Sequence, residues 1–142
     1  MTDAASGTRT VVVERDIPFP PEKLWRALTQ PHLIADWLKM QNDFEPVVGH
    51  AFTMKGGWGG LDCEVLTVEP HTTLAYTWNH VHADPAYALN SVVTFTLTPT
   101  DGGTHLRIDQ AGFRPDQKQA LGGATFGWRQ HLENLEKVVA AQ

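Results

Sequence analysis

From Thr10 onward, apolar residues recur first at every second position, then on a helical period, then at every second position again. Thr10-Val11-Val12-Val13-Glu14-Arg15 is a β-branched run closing at Ile17-Pro18, and it predicts a first strand. Pro18, Pro20 and Pro21 break it. Pro21 suits the first turn of a helix, where its missing N–H costs nothing, and Glu22 favours the positive end of the helix dipole. Leu24, Trp25 and Leu28 share one helical face. Pro31 restarts the pattern, and Leu33, Ile34, Trp37 and Leu38 give a second short helix.

After Asn42 the period falls back to two. His50 to Lys55 predicts a strand with Phe52 and Met54 on one side, and Gly56-Gly57-Trp58-Gly59-Gly60 reads as a flexible connection. Leu61 to Glu69 is a further strand, closed by Pro70, and Leu74 to Trp78 another, with Leu74, Tyr76 and Trp78 together. Residues 79–88 read as a loop. Leu89 to Leu97 turns Leu89, Val93, Phe95 and Leu97 inward; Asp101-Gly102-Gly103 signals a hairpin, and Thr104 to Gly112 answers with Leu106 and Ile108 inward. One more short strand is expected near Phe44 to Val47. A long final helix is expected from Arg114-Pro115-Asp116 to about Ala140, with Leu121, Trp128, Leu132, Leu135 and Val139 on its apolar face. Gly122, Gly123 and Gly127 interrupt it. A helical Gly costs about 1 kcal/mol relative to Ala. Either the helix begins nearer Ala124, or the glycines let a strand or ligand approach closely.

Composition narrows the picture. The 142 residues suit one domain, taken as residues 9–142 behind a disordered tail of residues 1–8. Hydrophobic residues are 42% and charged residues 19%, a globular balance. The formal net charge is −5, and no stripe of Lys or Arg appears, which argues against nucleic acid and anionic membranes as partners. No apolar run is long enough for a membrane span, and Met1 to Thr8 lacks the features of a signal peptide, so a cytoplasmic protein is expected. The single cysteine, Cys63, cannot form a disulfide within the chain.

The segment from Val11 to Trp37, with Ile17, Pro21, Trp25, Leu28, Pro31 and Trp37, resembles the opening of the AHSA1-like group (activator of Hsp90 ATPase, C-terminal domain type) of the START/SRPBCC superfamily. Val65 to Pro70 followed by Leu74 to Trp78 is similar to that group's paired strands, and Gly127-Trp128 with Leu132 and Leu135 to its C-terminal Gly-Trp-x3-Leu-x2-Leu signature. The resemblance runs over roughly residues 9–140. It implies an α+β helix-grip fold: a curved antiparallel sheet around the long C-terminal helix, with a cavity between them. It also implies binding of lipids, polyketides or other apolar molecules; a minority of the superfamily are cyclases or aromatases. Hsp90 activation is not expected, because the eukaryotic co-chaperone carries a separate N-terminal domain and only eight residues precede the first strand here.

Candidate ligand-binding residues follow from this placement. Phe52, Met54, Tyr76, Trp78, Phe95 and Trp128 should face the space between sheet and helix, either lining a cavity or filling it. Ser91, Gln110, Thr125 and the helix glycines are the small or polar residues among them. Gln110 continues the inward register of Leu106 and Ile108; it either orients a ligand oxygen or lies solvated at the rim. Trp58 is read as a flap over the cavity mouth, with an exposed turn as the alternative.

Other constellations carry less. Cys63 has acidic neighbours, Asp62 and Glu64, the opposite of what activates a thiolate, so a structural buried thiol is expected. His80-Val81-His82-Ala83-Asp84 has metal-ligand types in a loop but no second cluster to complete a site, and neither metal nor cofactor is expected. His131 could be a general base but is expected on the helix flank. No catalytic set assembles. The leading expectation is a non-catalytic binder of a small apolar or amphipathic molecule. The rivals are a cyclase-, aromatase- or hydrolase-like enzyme using Gln110, Tyr76 and His131, and a chaperone-associated partner module. A homodimer is left open.

Overall fold

The structure, a computed structural model, describes residues 8–56, 59–80, 83–84 and 88–142. The β-branched opening forms β1 (Arg9–Ile17), which turns Val11, Val13 and Ile17 inward. The prolines then start two helices, α1 (Pro21–Thr29) and α2 (Pro31–Leu38), each with proline in its first turn. The buried Trp37 indole donates to the Ala27 carbonyl at 2.8 Å and ties α2 to α1. Lys39, with φ of 60°, stops α2.

Six further strands follow: β2 (Gln41–Asn42), β3 (Ala51–Gly56), β4 (Gly59–Glu69), β5 (Thr73–His80), β6 (Leu89–Thr100) and β7 (Gly103–Phe113). They form one antiparallel sheet in the order β1-β7-β6-β5-β4-β3-β2. Between Val65 and Thr67 the β4–β5 register slips, leaving Leu66 as an extra, exposed residue. A bulge of this kind bends its strand and increases local twist, which helps the sheet curve. The last helix, α3 (Lys118–Ala141), packs against β1 and α2 across the concave face.

Three expectations need correction. No strand forms over Phe44 to Val47; the short strand is β2. Asn42 Oδ1 accepts the Phe44 N–H at 3.2 Å, and Asp43 Oδ1 the Thr53 N–H at 2.9 Å, so this stretch turns and sends the Phe44 ring into the core. The glycine-rich segment is not a five-residue connection, because Gly56 pairs with Gly59 and Gly60 lies within β4. Finally, α3 begins at Lys118 rather than at Arg114 to Asp116. Gln117 closes a turn there: its N–H meets the Arg114 carbonyl at 2.9 Å and its Oε1 accepts the Arg114 N–H at 2.9 Å. The three glycines neither delay nor break the helix.

The hairpin at Asp101 to Gly103 needs its second glycine. Gly103 has φ of +152°, and a Cβ there would collide with the Ile17 carbonyl oxygen and the Phe19 nitrogen. Beside it, on the outer face, the exposed His105 ring meets Asp16 Oδ1 at 2.7 Å through Nδ1 and Glu14 Oε1 at 2.9 Å through Nε2. Hydrogen bonds to Glu14, then to Asp16, raise its pKa above the usual 6.5. Both nitrogens donate only in the protonated ring.

Two predictions result. Gly103→Ala lowers unfolding stability in urea by more than about 1 kcal/mol; an unchanged midpoint would contradict the close approach. For His105 the folded pKa lies above the unfolded one, so its stabilisation is complete below about pH 6.5 and fades as pH rises through the raised value. His105→Gln should therefore reduce stability at pH 5 while leaving it nearly unchanged at pH 9; the opposite ordering would refute the ion-pair assignment.

Candidate functional site

The two halves of α3 carry different side chains on the face turned to the sheet. In the C-terminal half, Trp128, Leu132, Leu135 and Val139 are buried in the core. In the N-terminal half, Ala120, Gly123, Ala124 and Gly127 occupy the corresponding helical positions. Apart from the helix's own backbone and chain neighbours, a Cβ built on Gly123 or Gly127 finds no atom of the described residues within 4 Å. Of these four only Ala124 packs against the core, and Gly123 and Gly127 serve no close packing with the described residues.

The gap is a cavity of about 250 Å³ that opens to solvent beside the exposed Ala120 and Gly123, slightly under the roughly 300–1,000 Å³ usual for small-molecule pockets. Its α3 wall is Ala120, Gly123, Ala124, Gly127, Trp128 and His131. The sheet supplies Trp78 from β5, Leu89 from β6, and Gln110 and Phe113 from β7; Leu38 and Met40 close the side next to α2. Among the described residues no charged carboxylate, ammonium or guanidinium side chain lines it. Larger grooves elsewhere, such as that around Leu33, Asp36 and Lys137, lie on the outside of the helices.

Of the candidate residues, Trp78, Gln110 and Trp128 meet at this cavity. Phe52, Met54, Tyr76 and Phe95 are fully buried outside its lining. Phe52, Tyr76 and Phe95 belong to a row of rings that fills the other end of the interior. Phe44 meets Phe52 edge-on at 5.1 Å, Phe52 meets Tyr76 at 5.3 Å, and Tyr76 meets Phe95 at 5.7 Å. Such pairs each add roughly 0.5–1.5 kcal/mol beyond burial. The row then reaches Trp128, 6.0 Å from Phe95, and Trp78, 5.1 Å from Trp128. Thr125 turns its hydroxyl back to the Leu121 carbonyl at 3.0 Å and does not line the cavity. Trp58 lies outside the described residues.

Gln110 is buried rather than solvated at a rim. Its Oε1 accepts from the Trp128 indole at 2.7 Å, its Nε2 donates to Ser91 Oγ at 3.0 Å, and Ser91 Oγ donates to the Trp78 carbonyl at 2.6 Å. The direction of this chain is fixed at both ends: an indole can only donate and a carbonyl can only accept. One Nε2 hydrogen of Gln110 is left without a partner among the described residues. The chain joins α3, β7, β6 and β5 and sets both tryptophans against the cavity.

His131 is not on an open flank. Its ring stands edge-on between Trp37, at 6.4 Å, and Trp128, at 5.5 Å, and lines the cavity. Nδ1 is sealed from solvent and makes no hydrogen bond. Burial pushes the imidazole pKa down, with the Trp37 backbone carbonyl partly opposing the shift. Elsewhere, Cys63 is buried, and its thiol is pushed up to about 12 by desolvation and then by Asp62 and Asp43. Burial likewise raises the Tyr76 phenol and keeps it neutral. His80 approaches the Gly60 carbonyl at 3.4 Å, while His82 lies outside the described residues. Gln117 is a further positioning residue: its Nε2 donates to the Ala88 carbonyl at 2.8 Å, pinning the start of α3 beside β6.

A curved antiparallel sheet closing on a long C-terminal helix defines a helix-grip protein of the SRPBCC, or Bet v 1-like, class. Within that class, residues 18–140 match the family described as Activator of Hsp90 ATPase homolog 1-like protein, and the chain belongs to that family. Among solved structures it is similar to protein MLL2253 from Mesorhizobium loti, with 65% identity and a TM-score of 0.91 over 94% of this chain and 98% of that one. It is also similar to protein BH1534 from Bacillus halodurans, with 25% identity and a TM-score of 0.78 over 92% and 96% of the two chains. DynU16, a putative protein in the dynemicin biosynthetic locus, shares the fold at 24% identity and a TM-score of 0.79, over 92% of this chain and 47% of that one. No curated protein matches the chain. No helix among the described residues is long and apolar enough to cross a membrane.

Because nothing packs on the helical glycines, Gly123→Ala and Gly127→Ala should each raise stability by about 1 kcal/mol, visible as a few degrees in Tm. Gly122→Ala, away from the cavity lining, should do the same. Destabilisation at 123 and 127 but not at 122 would mean that the helix and sheet are in contact there.

Proposed function

We propose that the protein binds a small apolar or amphipathic molecule in the cavity between the sheet and the N-terminal half of α3, as a cytoplasmic binder that does not transform it. The observation that carries this reading is the empty face of α3. Three glycines in one helix cost about 1 kcal/mol each relative to Ala, and two of them, Gly123 and Gly127, border open volume rather than a packed neighbour. Space maintained at that cost, walled by Trp78, Phe113 and Trp128, suits a flat apolar guest.

The polar inventory of the wall points the same way. Ser91, the Gln110 carbonyl and the Trp128 indole satisfy one another, so they hold the walls and leave few groups for chemistry. Turnover needs titratable groups converging on one point. Among the described residues the cavity lining offers a single imidazole and no carboxylate or thiol beside it.

The test uses a neutral, environment-sensitive dye, N-phenyl-1-naphthylamine, and a variant that fills the space without removing any native contact. Gly123→Leu projects its side chain into the void. The wild-type chain should enhance dye fluorescence, and Gly123→Leu should bind at least tenfold more weakly with its urea midpoint unchanged or raised. Equal dye binding by the two proteins would remove the cavity from the account.

A further inference from the structure

Gln110 is a wall residue of the cavity, yet it is almost wholly buried, at 2% exposure. Its amide orientation is set by the partners on either side. The Trp128 indole, which can only donate, meets Oε1 at 2.7 Å, so the amide nitrogen is turned the other way. Nε2 then gives one hydrogen to Ser91 Oγ at 3.0 Å. Trp128 belongs to the described lining and Ser91 does not, so the hydrogen spent on Ser91 leads away from the cavity. An amide nitrogen carries two hydrogens. The second finds no acceptor among the described residues. The bonds to Trp128 and Ser91 hold the amide plane from both ends, and rotation of the side chain would break them.

We infer that the second Nε2 hydrogen of Gln110 faces the cavity and selects an aromatic ring that bears a ketone oxygen over a hydrocarbon of the same shape. This rests on the proposed binding function and specifies its ligand class. Trp78, Phe113 and Trp128 take the apolar body of such a ligand. A ketone oxygen brings lone pairs and no hydrogen, so it meets the donor and asks nothing further of the wall. A hydroxyl would bring a hydrogen of its own, and the acceptors of the chain are already engaged, Oε1 by the indole and the Trp78 carbonyl by Ser91. A hydrocarbon covers the donor and leaves it unpaired. That mismatch discriminates strongly between near-isosteric ligands, because a buried polar group without a partner loses its full solvation.

The experiment titrates the full chain with 2-acetonaphthone and with 2-isopropenylnaphthalene, in which a methylene group stands in for the ketone oxygen. Wild type should bind the ketone at least as tightly as the hydrocarbon, although the oxygen is harder to remove from water. The infrared carbonyl stretch of the bound ketone should lie below its value in hexane. Gln110→Glu is compared with wild type at pH 5. Burial holds the new carboxyl protonated there, so it still accepts from Trp128 and donates to Ser91 but has no second hydrogen. It should weaken the ketone about tenfold, change the hydrocarbon less than twofold and return the stretch to its hexane value. An unshifted stretch in wild type, which decides even if the variant does not fold, or the same affinity ratio in both proteins, makes carbonyl selection by Gln110 wrong and leaves the cavity reading standing. If neither ligand binds wild type, the selection falls too, and dye binding by wild type and Gly123→Leu decides the cavity reading on its own.

Discussion

The architecture depends on one constraint: a straight helix must cover a curved sheet, and only part of it can do so by contact. The C-terminal half of α3 meets that demand with Leu132, Leu135 and Val139, all buried. Arg15 Nε adds a 2.8 Å ion pair to Glu136, half exposed and therefore worth little next to the apolar contact. In the N-terminal half only Leu121 and Ala124 pack against the core, and the positions that face the cavity carry nothing larger than a methyl group until Trp128. A cavity at that end follows from helix composition as much as from sheet curvature.

Leaving volume next to a core invites collapse, and two devices resist it. The row of rings from Phe44 through Phe52, Tyr76 and Phe95 fills the closed end, so Trp128 rests on a solid base. The chain from Trp128 through Gln110 and Ser91 to the Trp78 carbonyl then holds the walls apart at fixed positions. Breaking any link would strand a buried polar group, at about 1–3 kcal/mol. Gln117 does similar work at the open end by bonding Ala88 across the gap between β6 and α3.

Much of the frame was legible in the sequence because it is written in local periods. The inward faces of β3, β5, β6 and β7 follow from counting by twos, and that counting also put Ser91 and Gln110 inside. What escaped was non-local. Gln110 is 18 residues from Trp128, and no spacing rule connects them, so its partners could not be read. Phe44 was read as part of a short strand, yet it lies in a turn and its ring packs against Phe52 and Tyr76. His131 looked peripheral on a helical wheel, but Trp37, from a helix over ninety positions earlier, encloses it. The glycines of α3 were visible as an anomaly; that they border empty space needed three dimensions.

The uneven helix also separates what keeps the molecule folded from what it can hold. The large apolar residues that anchor α3, Leu132, Leu135 and Val139, lie downstream of Trp128, and the small residues of the cavity wall, Ala120, Gly123, Ala124 and Gly127, lie upstream of it. Exchanging alanine, glycine or serine among the upstream positions reshapes the hollow while the anchor is untouched. Under the proposed binding function, such exchanges would alter which guest fits while Leu132, Leu135 and Val139 keep the helix in place.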